Sequence, residues 1–376
     1  MLSNGKTEKN AVAILHAMAS VEMISQAQLM PLVHLKRTSI FNVMEQMHRA
    51  RLVRPCGNFS TGKGRGTILW KLTEDAGAFV VAYFGNQHNY YRVYDYHGDL
   101  LHGVDRPYSS TIDDAIAELQ RVISQFSNGQ KVGSFALRGV VVSLAATVDS
   151  IKGEIAFSHN WRLKQYPLGA ELSKLWKDSP PLILVENNAR LAAWGEKCTG
   201  LSRENQHLIL LAIHGASGSD RKQTAMGLGT GIVLDGKLFA GAGGGAGELD
   251  QLFTRWLVTH YPNGNRPRTL AEMTDRQLRE FVLDLGENFS HIVNYLAPEK
   301  LVVHFDEEPP SPAFVKRLRD AMQANLLPGT DRNFPVEMST RGVDLLLDGG
   351  IHRLRQLYFA PSEHLSRQIR EAFDRR

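Results

Sequence analysis

Residues 227–248 read GLGTGIVLDGKLFAGAGGGAGE. Inside this run Asp235-Gly236 stands between Ile232-Val233-Leu234 and Lys237-Leu238-Phe239. That is the signal of a two-residue hairpin, whose central residues need positive φ. The glycines before it, Gly227, Gly229 and Gly231, would let backbone N–H groups approach an anion. The glycines after it, from Gly241 to Gly247, lead into a helical pattern and put Glu248 at its start. A carboxylate there is either a charge suited to the positive end of a helix or a ligand group facing a cleft. Neither GxxxxGK[ST] nor a strand-GxGxxG-helix arrangement is present, so the run is not a standard nucleotide loop.

Outward from the hairpin, apolar strands alternate with amphipathic helices. The first set is strands over 78–83, 90–96 and 99–103, a helix over 111–126 and a strand over 137–144. A helix over 168–176, a strand over 182–185 and a helix over 189–197 follow. The second set is strands over 207–213, 230–234 and 237–240, then helices over 249–259, 270–283 and 286–296. A strand over 301–303 and helices over 312–323 and 364–373 complete it. The order β-β-β-α-β-α occurs twice, which predicts two similar lobes with a cleft between them. Where a strand gives way to a helix, residues 185–196 read VENNARLAAWGE. This places Glu186, Asn187 and Asn188 at the kind of strand end where α/β proteins put working side chains. The segment 214–226 is a long polar loop.

The chain of 376 residues is too long for one ordinary core. It has no apolar run near 18 residues, and the polar MLSNGKTEKN lacks the apolar centre of a signal peptide. Its two cysteines, Cys56 and Cys198, are far apart, so neither a disulfide framework nor a zinc cluster is expected and the cytoplasm is the default. Charge is uneven. Residues 1–72 hold ten Lys/Arg against three acids, a net +7, which leaves −3 for the rest of a chain of net +4. A basic front on a mildly acidic body predicts an anionic partner for the front alone.

That front reads as three helices, over 8–19, 25–30 and 36–50. The second is capped by Ser25 and ended by Pro31. Two strands then flank GNFSTGKGRGT, a glycine-rich wing. The pattern is a winged helix-turn-helix. Its third helix would bury Ile40, Val43, Met44 and Met47 and offer Lys36, Arg37, Thr38, Ser39 and Asn42 to phosphates and base edges in a major groove. Lys63 and Arg65 on the wing would reach a neighbouring phosphate or the minor groove. A solvated basic domain, or a winged helix used for protein contacts, would share the charge but not need donors at that helix end.

The stretches GLGTGIVLDGKLFAGAGGGAGELDQ and VENNARLAAWGE, with the winged helix before them, resemble the ROK family of repressors and sugar kinases. The likeness runs over the whole chain, through VYDYHGDLL, SLAATVDSIKGEIAFSHNW and NYLAPEKLVV. It implies an α/β fold: an N-terminal winged helix-turn-helix over 1–75 and a two-lobed actin/hexokinase-like (ribonuclease H-like) ROK domain. The first lobe would span 76–187, completed by a C-terminal helix in 355–376, and the second 188–354. It also implies sugar contacts at Asn160, Asn187, Asn188 and Glu248, with Gln251 in place of a family histidine.

The departures from the family's kinases are specific. Tyr83-Phe84-Gly85-Asn86-Gln87 stands for their phosphate-binding Asp-x-Gly-Gly-Thr. Asn188 stands for the aspartate base, and an amide cannot take a proton. His304-Phe305 stands for a nucleotide-contacting Gly-Gly. HYPNGNRPRTLAE replaces their cysteine-rich zinc loop. The expectation is a transcriptional regulator, without catalytic residues, metal or cofactor. It would act on a double-stranded DNA operator as a homodimer or higher oligomer, with a sugar or sugar derivative as effector. An ATP-dependent sugar kinase with a DNA-binding front is the alternative, as is a regulator whose pocket binds nothing and whose polar groups are satisfied interior ones.

Overall fold

The computed structural model describes residues 2–59, 67–129, 136–176, 180–216, 226–264, 266–306, 312–327 and 334–374. The front comprises α1 (Leu2–Met18), β1 (Ile24–Ser25), α2 (Gln26–Val33), α3 (Arg37–Arg49), β2 (Val53–Phe59) and β3 (Thr67–Leu72). The three strands form one antiparallel sheet in the order β1-β3-β2. Helix α2 starts at a capping box, in which Ser25 and Gln28 satisfy each other's backbone N–H groups. Contrary to expectation, it does not stop at Pro31. A proline removes one backbone donor, but the helix ends only where His34 turns left-handed (φ 51°) and returns its N–H to the Met30 carbonyl at 3.0 Å.

The first lobe holds β4 (Ala78–Phe84), β5 (His88–Asp95), β6 (Leu100–Pro107), α4 (Ile112–Gly129) and β7 (Leu137–Leu144). It continues through β8 (Thr147–Asp149), β9 (Glu154–Ser158), β10 (Leu163–Tyr166), α5 (Leu168–Ser173) and β11 (Leu182–Asn187). The second holds α6 (Asn188–Thr199), β12 (Leu208–His214), β13 (Gly227–Leu234), β14 (Lys237–Phe239), α7 (Asp250–His260) and α8 (Asp275–Leu296). After these come β15 (Lys300–Phe305), α9 (Pro312–Gln323), β16 (Val336–Met338), α10 (Val343–Tyr358) and α11 (Glu363–Asp374).

The two main sheets are topological copies. One runs β6-β5-β4-β7-β11 and the other β14-β13-β12-β15-β16. In each, the first strand pairs antiparallel with the second and parallel with the fourth, and the fifth extends the parallel edge. The central strands β4 and β12 are buried along their whole length, as strands covered on both faces must be.

Several expectations are corrected. The strand expected from 230 begins at Gly227: the glycines at 227–231 are part of β13, paired with β12, and Gly227 and Gly229 line the space between the lobes. Gly231 serves packing: a Cβ there would lie 2.3 Å from the Ala189 carbonyl oxygen, so its absence lets α6 lie on the sheet. Residues 270–272 form a short 3₁₀ turn, and 275–296 is one helix that continues through Gly286. Gly286 marks a close crossing, where a Cβ would meet the Ala321 side chain at 2.5 Å, and not a break.

The largest omission is α10, whose LLLDGG run escaped periodicity because it is buried on several sides. It packs on α6, β4 and β7. Gly195 and Gly349 let the two helices touch; a Cβ on either would fall within 2 Å of the other helix's backbone oxygen. Thus α10, more than residues beyond 358, covers the first sheet. Helix α11 instead packs on α1, with an Arg370–Glu8 ion pair at 3.1 Å. His16 Nδ1 sits 3.0 Å from the Phe359 carbonyl. A further tie comes from Arg54 and Lys71, which both pair with Glu74 just after β3.

Candidate functional site

Helix α3 buries Ile40, Val43, Met44 and Met47, as its sequence predicts. This turns Lys36, Arg37, Thr38 and Asn42 to solvent, with Ser39 half-buried. Lys36 is the N-cap and Arg37 the first helical residue; the first turn holds no acid and the cap has no side-chain hydrogen bond. Cations at a helix N-terminus oppose the helix dipole, so helix stability does not explain them. Lys63 and Arg65 lie outside the described residues.

Between the lobes runs a cleft of about 560 Å³, lined from the first lobe by residues that include Asn86, His159 and Asn160. Asn187, Asn188, His214, Thr230, Glu248, Arg255 and Arg266 also line it. Four expected ligand residues, Asn160, Asn187, Asn188 and Glu248, are therefore brought together. Gln251 falls in the first turn of α7, and its side chain lies outside the described residues.

The amides are held in place by neighbours. Asn160 Nδ2 donates to Asn86 Oδ1 at 2.9 Å, and Asn86 Nδ2 to the Gly215 carbonyl at 2.8 Å. This chain crosses from one lobe to the other. Asn187 caps α6 by accepting from the Arg190 N–H at 3.0 Å, and donates to the Ala146 carbonyl at 2.9 Å.

Glu186, next to them in sequence, is not a cleft group. It is 1% exposed, and its Oε1 accepts from Arg190 Nε at 2.6 Å. The Arg190 guanidinium also donates to the carbonyls of Gly244 and Val148, each at 2.7 Å. One buried arginine thus ties the β8 edge of the first lobe to the glycine turn that carries Glu248. The glycines of that turn are forced by proximity: Gly244 (φ 76°) would press a Cβ to 1.8 Å from the Val148 oxygen. Thr230 Oγ1 donates to the Gly247 carbonyl at 2.6 Å and fixes the backbone just before Glu248.

Beside the amides a second network fills the space between the ends of β4, β12 and β15. The Tyr83 hydroxyl donates to Asp306 Oδ2, and His214 Nδ1 lies 2.9 Å from the same oxygen. Asn188 Nδ2 lies 3.1 Å from His214 Nε2 and 3.5 Å from the Tyr83 hydroxyl. His304, fully buried, holds Nε2 3.2 Å from Asp306 Oδ1 without hydrogen-bond alignment. Burial opposes ionisation of Asp306, but the charge and hydrogen bond of His214, with His304 behind it, keep the carboxyl well below the ordinary range. The sequence reading puts His214 at the start of the loop 214–226, whereas it is the last residue of β12. Arg266 had no pattern of its own; it enters the cleft because Pro267 and Arg268 accept backbone hydrogen bonds from Met226 and Ala216.

Among the described residues no group of His, Cys, Asp and Glu is arranged to hold a metal, and no helix is long and apolar enough to cross a membrane.

Comparison with known proteins places this geometry. Residues 84–251 match the ROK family. A xylose repressor of Caldicellulosiruptor bescii is 22% identical over 249 residues, 64% of this chain and 57% of that protein, so the match spans less than two thirds of that relative. A solved ROK family transcriptional regulator, described as a homolog of the E. coli MLC protein, superposes with a TM-score of 0.68 at 17% identity. It covers 98% of this chain and 99% of that one. A ROK family glucokinase from Streptomyces griseus, solved with glucose and AMPPNP, gives 0.57 at 18% identity, covering 74% of this chain and all of the kinase. These are likenesses of fold. The sequence match to the ROK family covers residues 84–251, and the likeness of architecture runs over nearly the whole chain.

Proposed function

We propose that the protein is a cytoplasmic, sequence-specific DNA-binding regulator of the ROK type, a repressor in its usual action. In this reading its winged helix-turn-helix domain is the segment 1–75, and a sugar or sugar derivative in the cleft shifts operator affinity. The observation that carries the reading is α3. Its apolar face is wholly buried, while its exposed N-terminal end gathers two cations, a hydroxyl and an amide that helix stability does not require. The name of the relative, a xylose repressor, points the same way. A two-fold operator would be met by a homodimer.

The test is selection of bound duplexes from a random-sequence pool, followed by salt-dependent binding of the enriched sequence. The wild type is expected to enrich a two-fold motif. Arg37→Ala should weaken binding about tenfold to a hundredfold, in line with 1–3 kcal/mol for a lost base or phosphate contact. Lys36→Ala should reduce the salt slope by about one. No enriched motif, or binding untouched by both changes, sinks the assignment.

The kinase reading has the glucokinase likeness in its favour. Against it, phosphoryl transfer is positioning and charge stabilisation around a nucleotide. In our reading Asn188 cannot serve as base, and Tyr83, Asp306, His214 and His304 occupy the region that nucleotide phosphates would need. Sustained ATP consumption with any of a panel of sugars would restore it.

A further inference from the structure

The arginines of the cleft have no place in the reading given so far. Arg255 and Arg266 both line it, and neither guanidinium makes a hydrogen bond or ion pair with a described residue. Their surroundings differ. Arg255 is an exposed residue in the middle of α7. Arg266 is half-buried, and its Nε is enclosed without a partner. Leaving such a donor unpaired is unfavourable, because it has lost water and gained no acceptor. The Arg266 backbone is not free to swing away, since it precedes Pro267, which restricts it to extended conformations, and Pro267 is hydrogen-bonded to Met226.

Glu248 is the single carboxylate among the described lining residues, against two guanidiniums. The cleft therefore carries a net positive charge beside a set of amides. Asn160, Asn187 and Asn188 offer mixed donors and acceptors, the chemistry that reads hydroxyl groups. Guanidiniums offer planar forks of N–H donors, which match phosphate and carboxylate oxygens.

We infer that the cleft takes a sugar bearing an anionic group, a phosphate or a carboxylate, with Arg255 and Arg266 holding the anion while the amides hold the ring. This rests on the cleft being an effector site, as proposed above, and narrows the class of effector.

Calorimetric titration of the full chain tests it, using matched sets: glucose, galactose and mannose, each with its 6-phosphate and its uronic acid, and inorganic phosphate alone. At least one anionic member is expected to bind tenfold or more tightly than its neutral parent. The phosphate and carboxylate arms tell which anion is read. In Arg255→Gln/Arg266→Gln that preference should fall to near one, while affinity for the neutral parent stays within about twofold. Neutral sugars binding as well as their anionic partners would overturn the inference and leave the effector site standing. A preference that survives in the double variant would overturn the role of these arginines. Failure of every sugar to bind would overturn both the inference and the effector reading.

Discussion

The two ends of the interlobe cleft have opposite characters. At one, Asn160, Asn187, Glu248 and the two arginines border open space. At the other, Tyr83, Asp306, His214 and Asn188 bond mainly to one another, with His304 buried behind them. The same pair of strand ends could have left both open. The first is a polar wall that faces space, whereas the second is a closed network whose hydrogen bonds join β4, β12 and β15. The difference teaches that one cleft can stay open at one end and be turned into structure at the other.

The contrast is most readily broken from below. Glu186→Gln would leave the Arg190 guanidinium buried without its counter-charge, at a cost of about 3–5 kcal/mol. A urea melt should show that loss, and ligand affinity at the open end should fall with it because Arg190 holds the Gly244 turn. A melt unchanged within 1 kcal/mol would show the pair to be dispensable.

The closed end is weaker and carries a pH signature. Asp306→Asn is expected to cost about 1.5–3 kcal/mol near neutral pH, as for hydrogen bonds to a charged group. The folded carboxyl is depressed, so its contribution is present above the unfolded value near 4 and is lost as pH falls below it. The Tm gap between wild type and Asp306→Asn should therefore narrow from about pH 4 downward; a gap constant from pH 6 to 3 contradicts the ionised carboxylate.

The smallest effect sharpens the comparison most. Asn188→Asp puts a carboxylate where a kinase would keep its base. ATP consumption with sugars should remain at background, because Tyr83 and Asp306 still close the neighbouring space. Turnover gained by this one change would mean that the closed end admits a nucleotide after all.

Much of this was legible from residues alone. The buried face of α3, the hairpin at Asp235-Gly236 and the duplicated strand order all follow from local periodicity and turn chemistry. What was hidden depends on distant approach. At Gly231 the sequence records a missing side chain but not the Ala189 carbonyl that comes near it. The Glu186–Arg190 pair sat at i, i+4 spacing in plain view. Nothing local says that this face of α6 is sealed against β8 and the Gly244 turn. Helix α10 was passed over for the related reason that a helix apolar on several sides loses its period.

The docking of α1 on α11 has a consequence in time. During synthesis residues 2–18 emerge long before 363–374, the helix that carries Arg370 to Glu8. At an elongation rate of roughly 5–20 residues per second, the N-terminal module spends many seconds without this contact. The ties through Glu74 can form early in that interval, whereas the contact of α1 with α11 waits until α11 has left the ribosome.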